Sequence, residues 1–136
     1  MLAFLDTNIL AYCTDARAPA KRERARMLVS RLSAQGEAAV STQVLIELFH
    51  TLTRKQSVPG VAAQALVLAC TAWPVIDSDL TLVSAALASS ITWQLSMWDA
   101  MVVEAALRAE AHTLYSEDFS HGQRFGKLTV INPFLA

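Results

Sequence analysis

The chain has 136 residues, 54% of them hydrophobic and 17% charged, with a formal net charge of −1. That length suits one domain with a real core, and the composition excludes a disordered chain and a globally basic nucleic-acid binder. No apolar run reaches the roughly 18 residues of a membrane-spanning helix, and the N-terminus lacks a basic leader.

Leu2 to Leu5 reads as a buried central strand, because both faces are apolar. Asp6 then falls at the strand's carboxyl end, where open α/β sheets collect their ligands. Thr7 to Cys13 is a short helix that Asp6 or Thr7 can cap. Pro19 opens the next helix, with Ala25, Leu28, Val29 and Leu32 as its apolar stripe, ending at Gln35-Gly36. Arg17, Lys21, Arg22, Arg24, Arg26 and Arg31 are six of the eleven cations. They form either a solvated helix face or a patch facing phosphate.

Ala38 to Ser41 is a second strand. Ser41 or Thr42 caps a helix running to about Lys55, with Val44, Leu45, Leu48, Phe49 and Leu52 as its apolar arc. Periodicity alone leaves Glu47 a surface glutamate. Val61 to Thr71 is apolar nearly all round, and such a helix is either buried or covered by a second chain. Trp73 to Ile76 gives a third strand. Ser78 or Asp79 caps a helix whose expected core stripe is Leu80, Val83, Leu87 and Ile91.

Ser96 and Asp99 make a capping-box-like start to the helix from Met97 to Ala111. Asp99 lies in line with Val102, Val103 and Ala106, so it faces inward on the first turn. Glu104 and Arg108 point the opposite way as an expected i, i+4 surface pair. Thr113 to Ser116 is a fourth strand ending in Glu117-Asp118. Phe119 to Lys127 reads as a polar loop, and Leu128 to Ile131 as the last strand. Strands separated by helices predict an α/β three-layer sandwich, a mostly parallel central sheet with helices on both faces.

Asp6 and Asp118 follow strands and Asp99 opens a helix on its inner face, with Glu47 a possible fourth. Carboxylates massed at one sheet edge repel one another, and a divalent cation relieves that. Oxygen-only ligands suit Mg²⁺, with Mn²⁺ as the alternative. Thr7, Asn8 and Ser116 lie beside the acids as accessory polar residues. His50, His112 and His121 have no zinc-like spacing, and Cys13 and Cys70 read as free thiols of a cytoplasmic protein.

The pieces Phe4-Leu5-Asp6-Thr7-Asn8-Ile9-Leu10, Ser41-Thr42-Gln43-Val44-Leu45-Ile46-Glu47-Leu48, Trp98-Asp99-Ala100 and Leu114-Tyr115-Ser116-Glu117-Asp118-Phe119 together resemble the PIN-domain ribonucleases. The resemblance is to the VapC toxins of bacterial VapBC toxin–antitoxin pairs, and the ending Val130-Ile131-Asn132-Pro133-Phe134 is similar too. It spans nearly the whole chain, residues 1–136, as a single PIN-like domain. It implies Asp6, Glu47, Asp99 and Asp118 as catalytic and metal-holding acids. Asp118 is taken over Glu117 because the family's Ser/Thr-x-Asp pattern aligns Ser116 with Asp118. The implied activity is Mg²⁺-dependent endonucleolytic cleavage of structured RNA, tRNA or ribosomal RNA. The implied partners are the RNA, a cognate antitoxin and a second copy of the chain, with no membrane. The helix around Val61 to Ala72 is the candidate dimer contact. The alternative is a catalytically silent PIN-like module that binds RNA or protein. A phosphoryl-accepting receiver would want a lysine after a late strand, whereas Lys127 precedes the last one.

Overall fold

The computed structural model describes residues Met1–Leu135. Its sheet has six strands: β1 (Ala3–Leu5), β2 (Ala38–Ser41), β3 (Val75–Ile76), β4 (Thr113–Tyr115), β5 (Arg124–Phe125) and β6 (Leu128–Ile131). The helices are α1 (Thr7–Tyr12), α2 (Pro19–Ala34), α3 (Thr42–Arg54), α4 (Gly60–Ala69), α5 (Leu80–Thr92) and α6 (Met97–Arg108), with a 3-10 turn at Cys70–Ala72. The strand order is β3-β2-β1-β4-β6-β5. β1 lies at the centre, pairing in parallel with β2 (Phe4 opposite Ala39) and with β4 (Phe4 opposite Leu114). All three residues of β1 are buried, as a strand covered on both faces requires. The carboxyl ends of β1, β2 and β4 therefore point to the same edge, which delivers Asp6, Ser41 and Ser116 together.

The helix starts follow the expected chemistry. Asp6 accepts from the Thr7 backbone N–H, Ser41 from Val44, Asp79 from Leu82 and Ser96 from Asp99. Two helices end on a left-handed residue that is not glycine. Gln94 (φ 53°) follows α5 and Glu110 (φ 57°) follows α6. The Leu95 N–H returns to the Ser90 carbonyl and the Ala111 N–H to that of Ala106, closing a Schellman-type end in each case.

Four expectations are corrected. The stretch Phe119 to Lys127 is not all loop, because Arg124–Phe125 forms β5, antiparallel to β6. Its strand is only two residues long and turns on Gly126 at φ 61°, too short for any alternation to register. Of the stripe chosen for α5 only Val83 packs against the core. Leu80, Leu87 and Ile91 are 80%, 54% and 81% exposed, while Leu82, Ala86 and Ser89 are buried. Small residues let two helices approach closely, so in this alanine-rich helix Ala86 and Ser89 pack beside Leu82, and the large Leu80, Leu87 and Ile91 are left outside. Phe49 likewise sits at the rim of its arc and is exposed. Finally, Glu104 and Arg108 do not pair. Glu104 accepts from the Ser89 hydroxyl across the α5–α6 contact, and Arg108 binds Asp79 at 2.9 Å.

α4 buries only Ala63 within its own span, leaving Val61, Leu66 and Leu68 exposed. No single helix among the described residues is long and apolar enough to cross a membrane.

Candidate functional site

Asp6 leaves β1 directly into α1, so its backbone is fixed by the sheet and its carboxylate by the helix start. One oxygen accepts from the Thr7 N–H at 2.8 Å. The other accepts from the Ser116 hydroxyl at 2.7 Å, across from the end of β4. The side chain is buried. Its carboxyl is pushed up from 3.8 to about 7, first by burial and then by the charges of Asp118 and Glu47, although Ser116 and the Thr7 N–H pull the other way.

Asn8, in the first turn of α1, ties this acid to the β4 loop. Its Nδ2 donates to Asp118 at 3.0 Å, to Ser116 Oγ at 3.3 Å and to Asp6 at 3.4 Å. Its Oδ1 accepts from the Glu117 N–H at 3.3 Å. With acceptors on one side of the amide and a donor on the other, its orientation is determined. The Ser116 hydroxyl is equally committed, since it also accepts from the Asp118 N–H at 3.1 Å.

Of the two acids after β4, Asp118 faces Asn8 and Asp6, and Glu117 turns away. Glu117 accepts from the Tyr12 hydroxyl at 2.6 Å and from Lys21 Nζ at 2.8 Å. Lys21 also lies over the rings of Tyr12 and Phe134, at 4.9 and 5.3 Å from their centroids. This clamp fastens the chain's last residues and the Glu117 loop to α2, and Arg24 adds bonds to the carbonyls of Pro133 and Leu135.

Glu47 and Asp99 come from helices. Glu47 accepts from the Thr7 hydroxyl at 3.1 Å and from Gln43 Nε2 at 2.9 Å. Asp99 is half-buried on the first turn of α6, and its carboxyl is raised by burial, then by Asp118 and Glu47. The four acids thus occupy one electrostatic neighbourhood. A groove of about 400 Å³ opens beside them, lined by Thr7, Asn8, Glu47 and Asp118 and also by Arg17 and Lys55.

This donor set is all oxygen, which fits a hard divalent cation. Among the described residues no three acidic, histidine or cysteine side chains converge closely enough to hold an ion directly. An ion seated here would be met by these carboxylates together with water, a mixture Mg²⁺ accepts. The three histidines are exposed and stand outside this group.

Sequence reasoning did not find Gln43, Arg17 or Lys55 as groove residues. Gln43 had a signal, its i, i+4 spacing to Glu47 on one helix face. Arg17 was marked only as one of the six clustered cations, and Lys55 carried no signal, since it lies just past the end of its helix. The basic cluster is divided: Arg17 lines the groove while paired with Asp15 at 3.0 Å, whereas Lys21, Arg24 and Arg26 are bound to neighbouring segments.

A family model described as the PIN domain matches residues 3–123. Among solved structures, the chain is similar to a toxin–antitoxin complex from Klebsiella pneumoniae (TM-score 0.71, 16% identity, covering 97% of this chain and 98% of that one). It is also similar to VapBC2 from Rickettsia felis, bound to a DNA fragment from its promoter (TM-score 0.64, 18% identity, 96% and 97% covered). A third similar structure is VapC20 of Mycobacterium tuberculosis, described as a sarcin–ricin loop cleaving toxin (TM-score 0.59, 23% identity, 85% and 91% covered). No curated protein matches the chain. The solved structures share the fold with this chain at low identity, and the family match runs from β1 almost to β5. The chain belongs to the PIN domain family.

Proposed function

We propose that the chain is a Mg²⁺-dependent endoribonuclease, the toxin of a type II toxin–antitoxin pair, acting on structured RNA such as tRNA or ribosomal RNA. The observation that carries this reading is the convergence of Asp6, Glu47, Asp99 and Asp118 from four separate elements, with Asp6 pushed up to about 7 partly by two of the others. Such repulsion is costly unless a cation shares the site. The toxin–antitoxin complexes among the similar folds support the biological setting, and the sarcin–ricin loop cleaving neighbour supports a ribosomal target.

Asp6, Glu47, Asp99 and Asp118 would hold the ion, with Mn²⁺ able to replace Mg²⁺. Bound there, a divalent ion supplies Lewis acidity toward a phosphodiester. The protein's own groups do the rest. Asn8 and Ser116 hold Asp6 and Asp118 in one orientation, Thr7 and Gln43 hold Glu47, and Lys55 offers positive charge to the flanking phosphates, Arg17 being paired with Asp15. A cognate antitoxin would silence the enzyme by laying a segment into this groove. The exposed apolar surface of α4 would meet a second copy, and the setting would be the cytoplasm.

The test is cleavage of total tRNA and ribosomal RNA by the parent and by Asp99→Asn, with folding followed by circular dichroism. Loss of cleavage in a folded Asp99→Asn protein is expected, and equal cleavage by the two would overturn the reading. One observation favours a second reading, a catalytically silent RNA- or protein-binding module: the acids do not close to ligating distances. Calorimetric titration with Mn²⁺ separates the two, since a silent module takes up no heat.

A further inference from the structure

A second groove, about 990 Å³ in volume, lies on the far side of Glu47. Glu47, Thr51 and Lys55 line both grooves, so the two run into one another past the acids. We propose that this second groove binds one unpaired nucleobase of the substrate, stacked on the Trp98 indole and met at its edge by Gln43 and Ser78, with Lys55 at the intervening phosphate. The inference rests on the nuclease reading in one respect only, that the base belongs to the RNA being cut.

Three observations carry it. Trp98 is 68% exposed and lines the groove one residue before Asp99. An exposed indole in a groove is the platform on which single-stranded nucleic acids stack, and Lys55 lines the same groove. Second, Gln43 is 7% exposed, and its amide is held in one orientation. Nε2 donates to Glu47 Oε1 at 2.9 Å and to the Trp98 carbonyl at 3.3 Å, and neither of these can donate in return. Its Oε1 is consequently turned away from both, buried, and without a donor among the described residues.

Third, Ser78 Oγ is also buried without a partner there, and it lines the same groove. Buried polar atoms are nearly always satisfied, so two orphans in one groove point to a ligand that brings its own polar edge. A nucleobase offers a flat ring for Trp98 and an edge of N–H donors and acceptors for Gln43 and Ser78. An apolar helix from a protein partner would cover the indole and leave both orphans unpaired. Lys55, which lines both grooves, suits the phosphate that joins this base to the position over the acids.

The test is direct binding, in EDTA, of a fluorescein-labelled, unstructured octaribonucleotide of mixed sequence. The parent should bind it. Trp98→Ala should weaken binding about 5- to 50-fold, and Trp98→Phe, which keeps an aromatic face, should restore most of the loss. Lys55→Gln should flatten the salt dependence by about one phosphate contact. Should Trp98→Ala melt early, quenching of the parent's tryptophan fluorescence by unlabelled oligonucleotide, lost in Trp98→Phe, reports the same contact. Equal affinity of parent and Trp98→Ala, or no binding by the parent, overturns the proposal and leaves the indole to a protein partner. Because no metal is present, failure of the same oligonucleotide to be cut in Mg²⁺ counts against the nuclease reading alone, and Trp98-dependent binding would survive it.

Discussion

The two halves of the acidic rim are built differently. On the β1–β4 side, Asp6 and Asp118 share one network: Asn8 and Ser116 make six hydrogen bonds among Asp6, Asp118, Glu117 and each other. On the helical side, Glu47 is held by Thr7 and Gln43, and Asp99 meets the others through charge alone. The first half is preset by the sheet edge. The second is carried on two helices whose small displacements change its distance from the first. On the proposed nuclease reading, a site that admits an ion and a phosphate would gain from one fixed wall and one adjustable wall.

The largest expected effect breaks the fixed wall at its acid. Asp6→Ala should lower RNA cleavage by at least about 100-fold, measured at saturating Mg²⁺ with folding checked by circular dichroism. Asn8→Ala keeps every acid and removes only the link between them. It should lower activity by about 10- to 100-fold, the usual consequence of losing a residue that orients metal-holding groups. Thr7→Val is the matching change on the adjustable wall. It frees one Glu47 oxygen and should cost less, about threefold to tenfold, so the ratio of the two variants measures the difference between the walls. If Thr7→Val proves the more damaging, the contrast is reversed.

Acidity sharpens the same contrast without touching catalysis. Asp6 has a carboxyl raised in the folded protein, to about 7 from 3.8. Folding therefore favours its protonated form. The stability this contributes is complete below about pH 4 and is lost as pH rises through 7. In EDTA the melting temperature should fall by roughly 5–15 °C between pH 5 and pH 8.5, and Asp6→Asn should flatten that slope. Mg²⁺ should raise the melting temperature most at the alkaline end, where the carboxylate is ionised and unopposed.

The fixed wall was also the legible one. Asp6 after an apolar run and Asp118 after another are strand-end signals, visible because a buried strand leaves a continuous apolar block. Asp99 was legible from its line with Val102, Val103 and Ala106, all of which are buried. Glu47 was not, because it lies beside its helix's apolar arc and is turned toward the site by Thr7, a contact made across the fold, with Gln43 beside it on the same helix. The α5 face was misread for a related reason. Side-chain size marks Leu80, Leu87 and Ile91 as core, but the buried face is Leu82, Ala86 and Ser89, two of them small residues that size does not mark. Five of the six strands could be found from the pattern, and β5 could not, because two residues carry no period.

The left-handed ends of α5 and α6 hold an unused reserve. Gln94 and Glu110 each keep a Cβ in a backbone region that disfavours one, and each helix would close equally well on glycine. Gln94→Gly and Glu110→Gly should each raise stability by about 0.5–1 kcal/mol in a urea melt. Neither side chain belongs to the acid network or to the two grooves. The pair therefore offers a hardened background in which a damaging variant such as Asn8→Ala can be purified and assayed at the temperatures its parent tolerates.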